Sequence, residues 1–288
     1  MDANIASAVL FPGQGVGDAS SRELVADVRP DLLELATELV GADPFERMSE
    51  GTAFAQPAVY CASLAGYERL GRPRPDYFAG HSLGEVGALA AAGAIDDADG
   101  VRIVVVRGRV MDEVARRGEA GGMLAVGSSR DGAAALATEH GLTLANENSP
   151  QQFVLSGPLP AIEAAEAAAK GTGVRAKKLA VAGAFHTEAM ASGVGPFRAA
   201  LDEIDFQEPE TPVVSSTSAE PFGDDVRDAL AASLTSPIRW TAVLGRLREL
   251  GVARYVDVGP GKVLAGLVRR TIDDAETETL QSRESAVA

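Results

Sequence analysis

Tyr77-Phe78-Ala79-Gly80-His81-Ser82-Leu83-Gly84-Glu85 is the stretch from which the fold is read. Tyr77 to Ala79 predicts a short strand running into Gly80 to Gly84. Glu85 to Ala92 holds strong helix formers and stops at Gly93. Strand, sharp turn and helix make a GxSxG elbow, in which the two glycines allow the strained turn that exposes a serine hydroxyl. An ordinary glycine turn is the bland alternative, and the strand-to-helix setting favours the nucleophile. The helix after Ser82 aims its first N–H groups and its dipole at that hydroxyl, so an oxyanion forming there is held notably by the amide of Leu83.

The same texture continues on both sides of the elbow. Short β-rich runs alternate with Ala/Leu-rich stretches, the pattern of a largely parallel sheet covered by crossover helices. Ala8 to Phe11 predicts a strand, Asp31 to Leu39 and Pro57 to Leu70 predict helices, and Val101 to Val114 predicts a helix carrying Arg102, Arg107 and Arg109 on an otherwise apolar segment. From residue 121 to 181 the texture changes. Strands at Met123–Val126, Leu142–Ala145, Phe153–Leu155 and Val174–Val181, with helices at Asp131–His140 and Ala161–Lys170, run βαββαβ, the split arrangement of a ferredoxin-like unit. Beyond it come a helix over Glu188–Ile204, strands at Val213–Ser215 and Arg254–Val258, and helices near Asp224–Leu234 and Thr241–Leu250. The expectation is therefore an α/β protein with two parts. Residues 1–120 and 182–288 form an α/β-hydrolase-like large subdomain with a largely parallel sheet, and 121–181 form an inserted ferredoxin-like small subdomain. Ala275 to Ala288 reads as a polar, frayed end.

Composition narrows the function. The 288 residues are 46% hydrophobic, enough for a real core, and 26 basic against 41 acidic side chains leave a formal charge of −15. Such a charge repels phosphate backbones, which speaks against nucleic acid as a partner. The one cysteine, Cys61, cannot form an internal disulfide, and the sequence shows no Cys/His cluster with the spacing of a metal site. The chain opens without a basic leader region, and its longest apolar run, Val86 to Ile95, is about half what a membrane span requires. A cytoplasmic protein away from membranes is expected.

A serine nucleophile needs a base, and His81, His140 and His186 are the available imidazoles. His81 stands beside Ser82, where adjacent side chains diverge, and reads as a packing or hydrogen-bonding residue at the substrate-binding face. His140 before Gly141 reads as a helix C-cap. His186 follows the apolar run Leu179 to Phe185 and precedes a helix, at the strand end where α/β proteins carry their sites, so by elimination it is the base. With 41 acidic residues, no third member can be chosen from the sequence. Gly13-Gln14-Gly15 is too short for a dinucleotide fingerprint, and Gly259-Pro260-Gly261-Lys262 lacks two positions of a phosphate loop. Arg107 is the stranger feature, because a guanidinium is rarely buried without a carboxylate. It reads either as half of an internal salt bridge or as a bidentate clamp for a substrate carboxylate.

Seven segments together resemble a known family. They are Phe11-Pro12-Gly13-Gln14-Gly15, Ala55-Gln56-Pro57-Ala58, Gly80 to Glu85, Arg107-Gly108-Arg109, Asn146-Glu147-Asn148, Gly183-Ala184-Phe185-His186-Thr187 and Val258-Gly259-Pro260-Gly261. In order and spacing the chain resembles the malonyl-CoA:acyl carrier protein transacylases of fatty acid or polyketide synthesis over nearly its whole length. The resemblance implies that Ser82 is acylated, that His186 is the base, and that backbone N–H groups of Gln14 and Leu83 hold the oxyanion. It implies that a backbone carbonyl near Ser233 orients the histidine. It further implies that Arg107 pairs with the malonyl carboxylate, that Gln56 lines that pocket, and that Asn146 and Asn148 face the cleft. Phe185 resembles the residue of malonyl-selective members. Gly17 departs from the family pattern, which has a second glutamine there, and the segment before Phe45 is shorter than usual.

These readings predict an enzyme that takes malonyl from coenzyme A onto Ser82 and passes it to the phosphopantetheine thiol of an acyl carrier protein. It works as a monomer, with no metal or bound cofactor and malonyl-CoA as substrate. A serine acyl hydrolase or thioesterase editing acyl carrier proteins in a polyketide pathway is the enzymatic rival, and a non-catalytic carrier-binding protein is the rival of another class. Because carrier and enzyme are both acidic, docking needs a local basic patch, for which Arg175, Lys177 and Lys178, and Arg269 with Arg270, are the candidates.

Overall fold

The computed structural model describes residues 5–15, 19–181 and 183–282. Gly17 therefore lies outside the described residues. The chain runs β1 (Ala6–Phe11), α1 (Ala19–Val28), α2 (Pro30–Val40), α3 (Thr52–Arg69), β2 (Tyr77–Gly80), α4 (Gly84–Ala91) and α5 (Asp97–Arg117). Next come β3 (Gly121–Gly127), α6 (Arg130–Glu139), β4 (Thr143–Ser149), β5 (Gln152–Pro158), α7 (Leu159–Gly171) and β6 (Arg175–Lys178). It ends with α8 (Ala191–Asp202), β7 (Val213–Val214), α9 (Val226–Ala232), α10 (Trp240–Glu249), β8 (Val252–Asp257), α11 (Val263–Thr271) and β9 (Glu276–Thr279).

Among the described residues, five strands form a parallel sheet in the order β7-β2-β1-β8-β9. Its central strand is apolar on both faces, as a sheet covered on both sides requires. Successive side chains of β1 alternate between two cores: Val9 and Phe11 point into one, Ala8 and Leu10 into the other. The first core is anchored by Phe11, Tyr67 and Phe78, whose ring centroids lie 5.7–6.2 Å apart. The second is filled by Trp240, Val243, Leu244 and Leu264 from α10 and α11.

Strands β3 to β6 form a separate antiparallel sheet in the order β4-β5-β3-β6. With α6 and α7 this is the expected βαββαβ unit. Leu124, Val126, Phe153 and Leu155 pack on the helices, whereas Met123, Ala145 and Val154 face the core of the larger sheet. The segment before α10 sews the two together. Ile238 donates to the Ala145 carbonyl at 2.8 Å, and Glu147 donates back to the Ile238 carbonyl at 2.8 Å.

Part of the stretch 275–288 differs from the frayed end expected of it, and its residues 283–288 lie outside the described residues. Glu276–Thr279 is not frayed but is the edge strand β9, paired in parallel with β8. Its alternation of acids and threonines suits an edge, and Glu278 meets Arg254 of β8 at 2.6 Å. Polar composition hid this strand because an edge needs little apolar surface. Helices α1 and α11 are additional to the elements expected from the sequence. No helix of the described residues is long and apolar enough to cross a membrane.

The elbow depends on its glycines. A Cβ on Gly80 would run into the backbone of Gly84 and Glu85, and one on Gly84 into the Phe11 carbonyl. Gly84→Ala should therefore cost about 2–4 kcal/mol of unfolding free energy. Gly266→Ala in α11, where a Cβ meets nothing within 4 Å, should stabilise by about 0.5–1 kcal/mol. Urea midpoints of the two variants check the contrast, and equal midpoints would contradict it.

Candidate active site

Ser82 has φ +53, a left-handed conformation that a non-glycine residue rarely adopts. The surrounding structure imposes it: His81 N–H donates to the Phe11 carbonyl at 2.9 Å, extending the pairing of β1 with β2, and three residues later Gly84 N–H closes a turn onto the His81 carbonyl at 3.0 Å. The chain thus reverses in the space of Ser82, which is left at the amino terminus of α4 with Leu83 buried behind it.

His186 reaches this hydroxyl from the opposite side. Its Nε2 lies 2.9 Å from Ser82 Oγ, and its Nδ1 lies 2.9 Å from the Ser233 carbonyl. A carbonyl can only accept, so Nδ1 carries the proton and Nε2 presents a lone pair to the serine hydroxyl. His186 also has a left-handed backbone, φ +59. Two flanking bonds hold that loop: Ser156 Oγ donates to the Phe185 carbonyl at 2.9 Å, and Thr187 Oγ1 donates to the Ala184 carbonyl at 2.7 Å. Burial, followed by the nearby Arg107 charge, pushes the imidazole pKa down to about 3. The imidazole is therefore neutral at ordinary pH, with its Nε2 lone pair free to accept a proton.

Arg107 enters from α5 and is 3% exposed. Nη2 donates to Ser82 Oγ at 3.1 Å and Nη1 to Gln56 Oε1 at 3.0 Å, so both hydrogen bonds go to neutral oxygens. Among the described residues no carboxylate forms an ion pair with it, which removes the internal salt bridge. Burial lowers its pKa to about 10, opposed by the charge of Glu85. That carboxylate is itself engaged, accepting from Ser216 N–H at 2.6 Å and Ser215 Oγ at 3.1 Å. Gln56 continues the network: its Nε2 donates to Thr52 Oγ1 at 2.8 Å and lies 3.2 Å from Met111 Sδ, while Thr52 Oγ1 donates to Gln14 Oε1 at 2.7 Å.

Ser82, His186, Arg107, Gln56, Gln14, Leu83 and Ser233 thus converge on one place. Phe185 and Gln14 border an adjoining cavity of about 610 Å³, with Thr52 and Val181 in its wall. His81 points away from the serine: its Nε2 lies 2.8 Å from Asn148 Oδ1 and its ring centroid 5.4 Å from that of Trp240. Burial lowers its pKa, and the Asn148 bond opposes this. Asn146 is bridged to Ile238 at the joint of the two sheets. His140 caps α6, as its sequence context suggested.

The basic candidates divide. Arg175, Lys177 and Arg270 line a common cavity of about 540 Å³. Lys178 instead pairs with Glu163 at 3.3 Å, and Arg269 donates to Thr277 Oγ1 at 2.6 Å. Sequence reasoning missed Thr52 and Met111. Both lie at i,i+4 spacing from residues it did single out, Gln56 and Arg107, so helical periodicity was the available signal.

Residues 27–284 match the family model described as acyl transferase domain. The chain is 35% identical to the malonyl CoA-acyl carrier protein transacylase of Escherichia coli K12, over 98% of this chain and 97% of the relative. It is also 35% identical to the polyketide biosynthesis protein PksE of Bacillus subtilis, but spans only 37% of that protein's length. Among solved structures, the malonyl-CoA:acyl carrier protein transacylase of Xanthomonas oryzae superposes with a TM-score of 0.89 at 31% identity, covering 99% of this chain and 98% of the other.

A base whose pKa is about 3 keeps its lone pair in acid. Labelling of Ser82 by a fluorophosphonate should therefore stay level from pH 8 to pH 5, where an ordinary imidazole would be mostly protonated. The unfolded chain titrates near the ordinary histidine value of about 6.5. His186 thus contributes stability above that pH and loses it as pH falls toward 3. An acid limb of labelling at pH 6–7 would contradict the burial argument.

Proposed function

The chain belongs to the acyl transferase family, and from that premise we propose that it transfers a malonyl group from coenzyme A to the phosphopantetheine thiol of an acyl carrier protein. Ser82 Oγ attacks the thioester carbonyl while His186 Nε2 takes its proton. Negative charge on the carbonyl oxygen is held by the N–H groups of Leu83 and Gln14. The C–S bond then breaks, and the coenzyme A thiolate leaves with the proton from His186. In the second half reaction His186 deprotonates the carrier thiol, the thiolate attacks the malonyl-serine carbonyl, and as the ester C–O bond breaks the His186 imidazolium returns the proton to Ser82 Oγ. The Ser233 carbonyl keeps the imidazole in the tautomer that both halves need. These steps call for no resident metal or cofactor.

The observation that carries this reading is Arg107. A buried guanidinium at Ser82, bonded among the described residues only to neutral oxygens, is matched by an acyl group that ends in a carboxylate. A hydrolase acting on apolar acyl groups would bury that charge against hydrocarbon. We assign residues 1–120 and 182–288 to the catalytic subdomain and 121–181 to the smaller one, whose Asn146 and Asn148 border the cleft. A monomer working in the cytoplasm is the setting we propose, supported by the buried lone thiol of Cys61.

Ser82→Ala should abolish covalent labelling by malonyl-CoA, and Arg107→Ala should lower the malonyl-to-acetyl ratio of kcat/KM by about tenfold to a hundredfold, the value of a charge-assisted bidentate pair. Labelling of Ser82→Ala at the wild-type level, or an unchanged ratio in Arg107→Ala, would refute these roles.

For the carrier, the cavity lined by Arg175, Lys177 and Arg270 is the docking surface we favour, because it gathers positive charge on a protein of formal charge −15. Lys177→Glu with Arg270→Glu should slow transfer to the carrier and leave acylation of Ser82 by malonyl-CoA near the wild-type rate. Stopped-flow measurement of each half reaction separates the two, and equal slowing of both would overturn the docking surface.

A further inference from the structure

The carboxylate-binding arginine is the first member of a hydrogen-bonded chain whose direction is forced throughout. A guanidinium has only donors, so Gln56 must turn Oε1 toward Arg107, 3.0 Å away. Its Nε2 must then face Thr52 Oγ1, at 2.8 Å. Having accepted that bond, the Thr52 hydroxyl points its own proton to Gln14 Oε1 at 2.7 Å. Arg107, Gln56, Thr52 and Gln14 thus form a single donor-to-acceptor line between the acyl-binding and oxyanion sides of the site. Thr52 is the only one of the four with a single polar atom serving as acceptor on one side and donor on the other.

Its position is fixed by close packing. Thr52 is the first residue of α3 and is 4% exposed. A Cβ on Gly108 of α5 would come within 2.8 Å of the Thr52 carbonyl, so the glycine next to Arg107 is what lets α5 lie against this turn. On the other side a Cβ on Gly51 would sit 2.7 Å from Asp112 Oδ1. The i,i+4 spacing puts Thr52 and Gln56 on one helix face.

We propose that Thr52 is a positioning residue that ties Arg107 to the Gln14 segment, so that the preference for a carboxylate-bearing acyl group is expressed in the rate of Ser82 acylation as well as in binding. The inference rests on the malonyl transferase reading. Without the hydroxyl, Gln56 is no longer held with its oxygen toward Arg107, and a buried amide donor and the half-buried Gln14 acceptor each lose a partner.

The test is single-turnover acylation of Ser82 in wild type, Thr52→Val and Thr52→Ser, with malonyl-CoA and acetyl-CoA each at saturation. Thr52→Val should lower the malonyl-to-acetyl ratio of rate constants by about tenfold, whereas Thr52→Ser, which keeps the hydroxyl, should stay within about twofold of wild type. A wild-type ratio in Thr52→Val, even with both rates reduced, would overturn the role of Thr52, as would a Thr52→Ser variant as impaired as the valine. Absence of malonyl on wild-type Ser82 would instead overturn the transferase reading, so the two failures are distinguishable.

Discussion

A positive charge held out of water without an ion-pair partner among the described residues is the constraint around which the site is arranged. Arg107 is 3% exposed, and burial lowers its pKa to about 10. Leaving such a charge uncompensated is costly, and the surroundings reduce the cost without cancelling it. Gln56 accepts one of its protons, Ser82 another, and the Glu85 carboxylate supports it from a distance while bound to Ser215 and Ser216. A direct ion pair would have been the cheaper solution for stability, but it would have closed the guanidinium to any substrate anion. The same charge also acts on His186, where it adds to burial in keeping the imidazole neutral. One charge thus stands beside the Ser82 hydroxyl and adds to burial in holding the His186 imidazole neutral.

Around this charge the backbone supplies the remaining order. Ser82 and His186 both sit in left-handed conformations, each in a loop clamped by neighbouring hydrogen bonds. Strain of this kind persists only where the structure over-determines it. Three separate parts of the chain provide that determination. The parallel sheet presents the elbow, the small sheet braces the His186 loop through Ser156, and the stretch from Ser233 to Trp240 contributes the orienting carbonyl and the joint to β4. The Ser82–His186 contact therefore depends on the relative placement of the two sheets, not on either alone.

Much of this was legible in the sequence, and the exceptions have physical reasons. The elbow was visible because few residues tolerate its geometry, so Gly80 and Gly84 had to be glycine. The βαββαβ order followed from short elements with distinct periodicities. His186 emerged by elimination among three histidines. The third member of the histidine system did not emerge from the residues, because a backbone carbonyl leaves no side-chain signature, and only the family resemblance placed it near Ser233. Thr52 stayed hidden for a different reason: a threonine at a helix start reads as a cap, and its link to Gln14 spans 38 residues of sequence. Edge strand β9 was read as frayed because apolar content is a poor guide where one side faces solvent. Sequence neighbourhood does not show which basic residues share a face: Lys177 and Lys178 project to opposite faces of their strand, one into the cavity with Arg270 and the other onto Glu163.

The Arg107 charge, without an ion-pair partner among the described residues, is what we propose makes Ser82 select an acyl group ending in a carboxylate. The most direct test is competition: the wild-type protein mixed with equimolar malonyl-CoA and acetyl-CoA, followed by intact-mass and peptide analysis of the Ser82 adduct. The account predicts malonyl as the dominant adduct, confined to Ser82. A dominant acetyl adduct, or malonyl attached elsewhere, would contradict it.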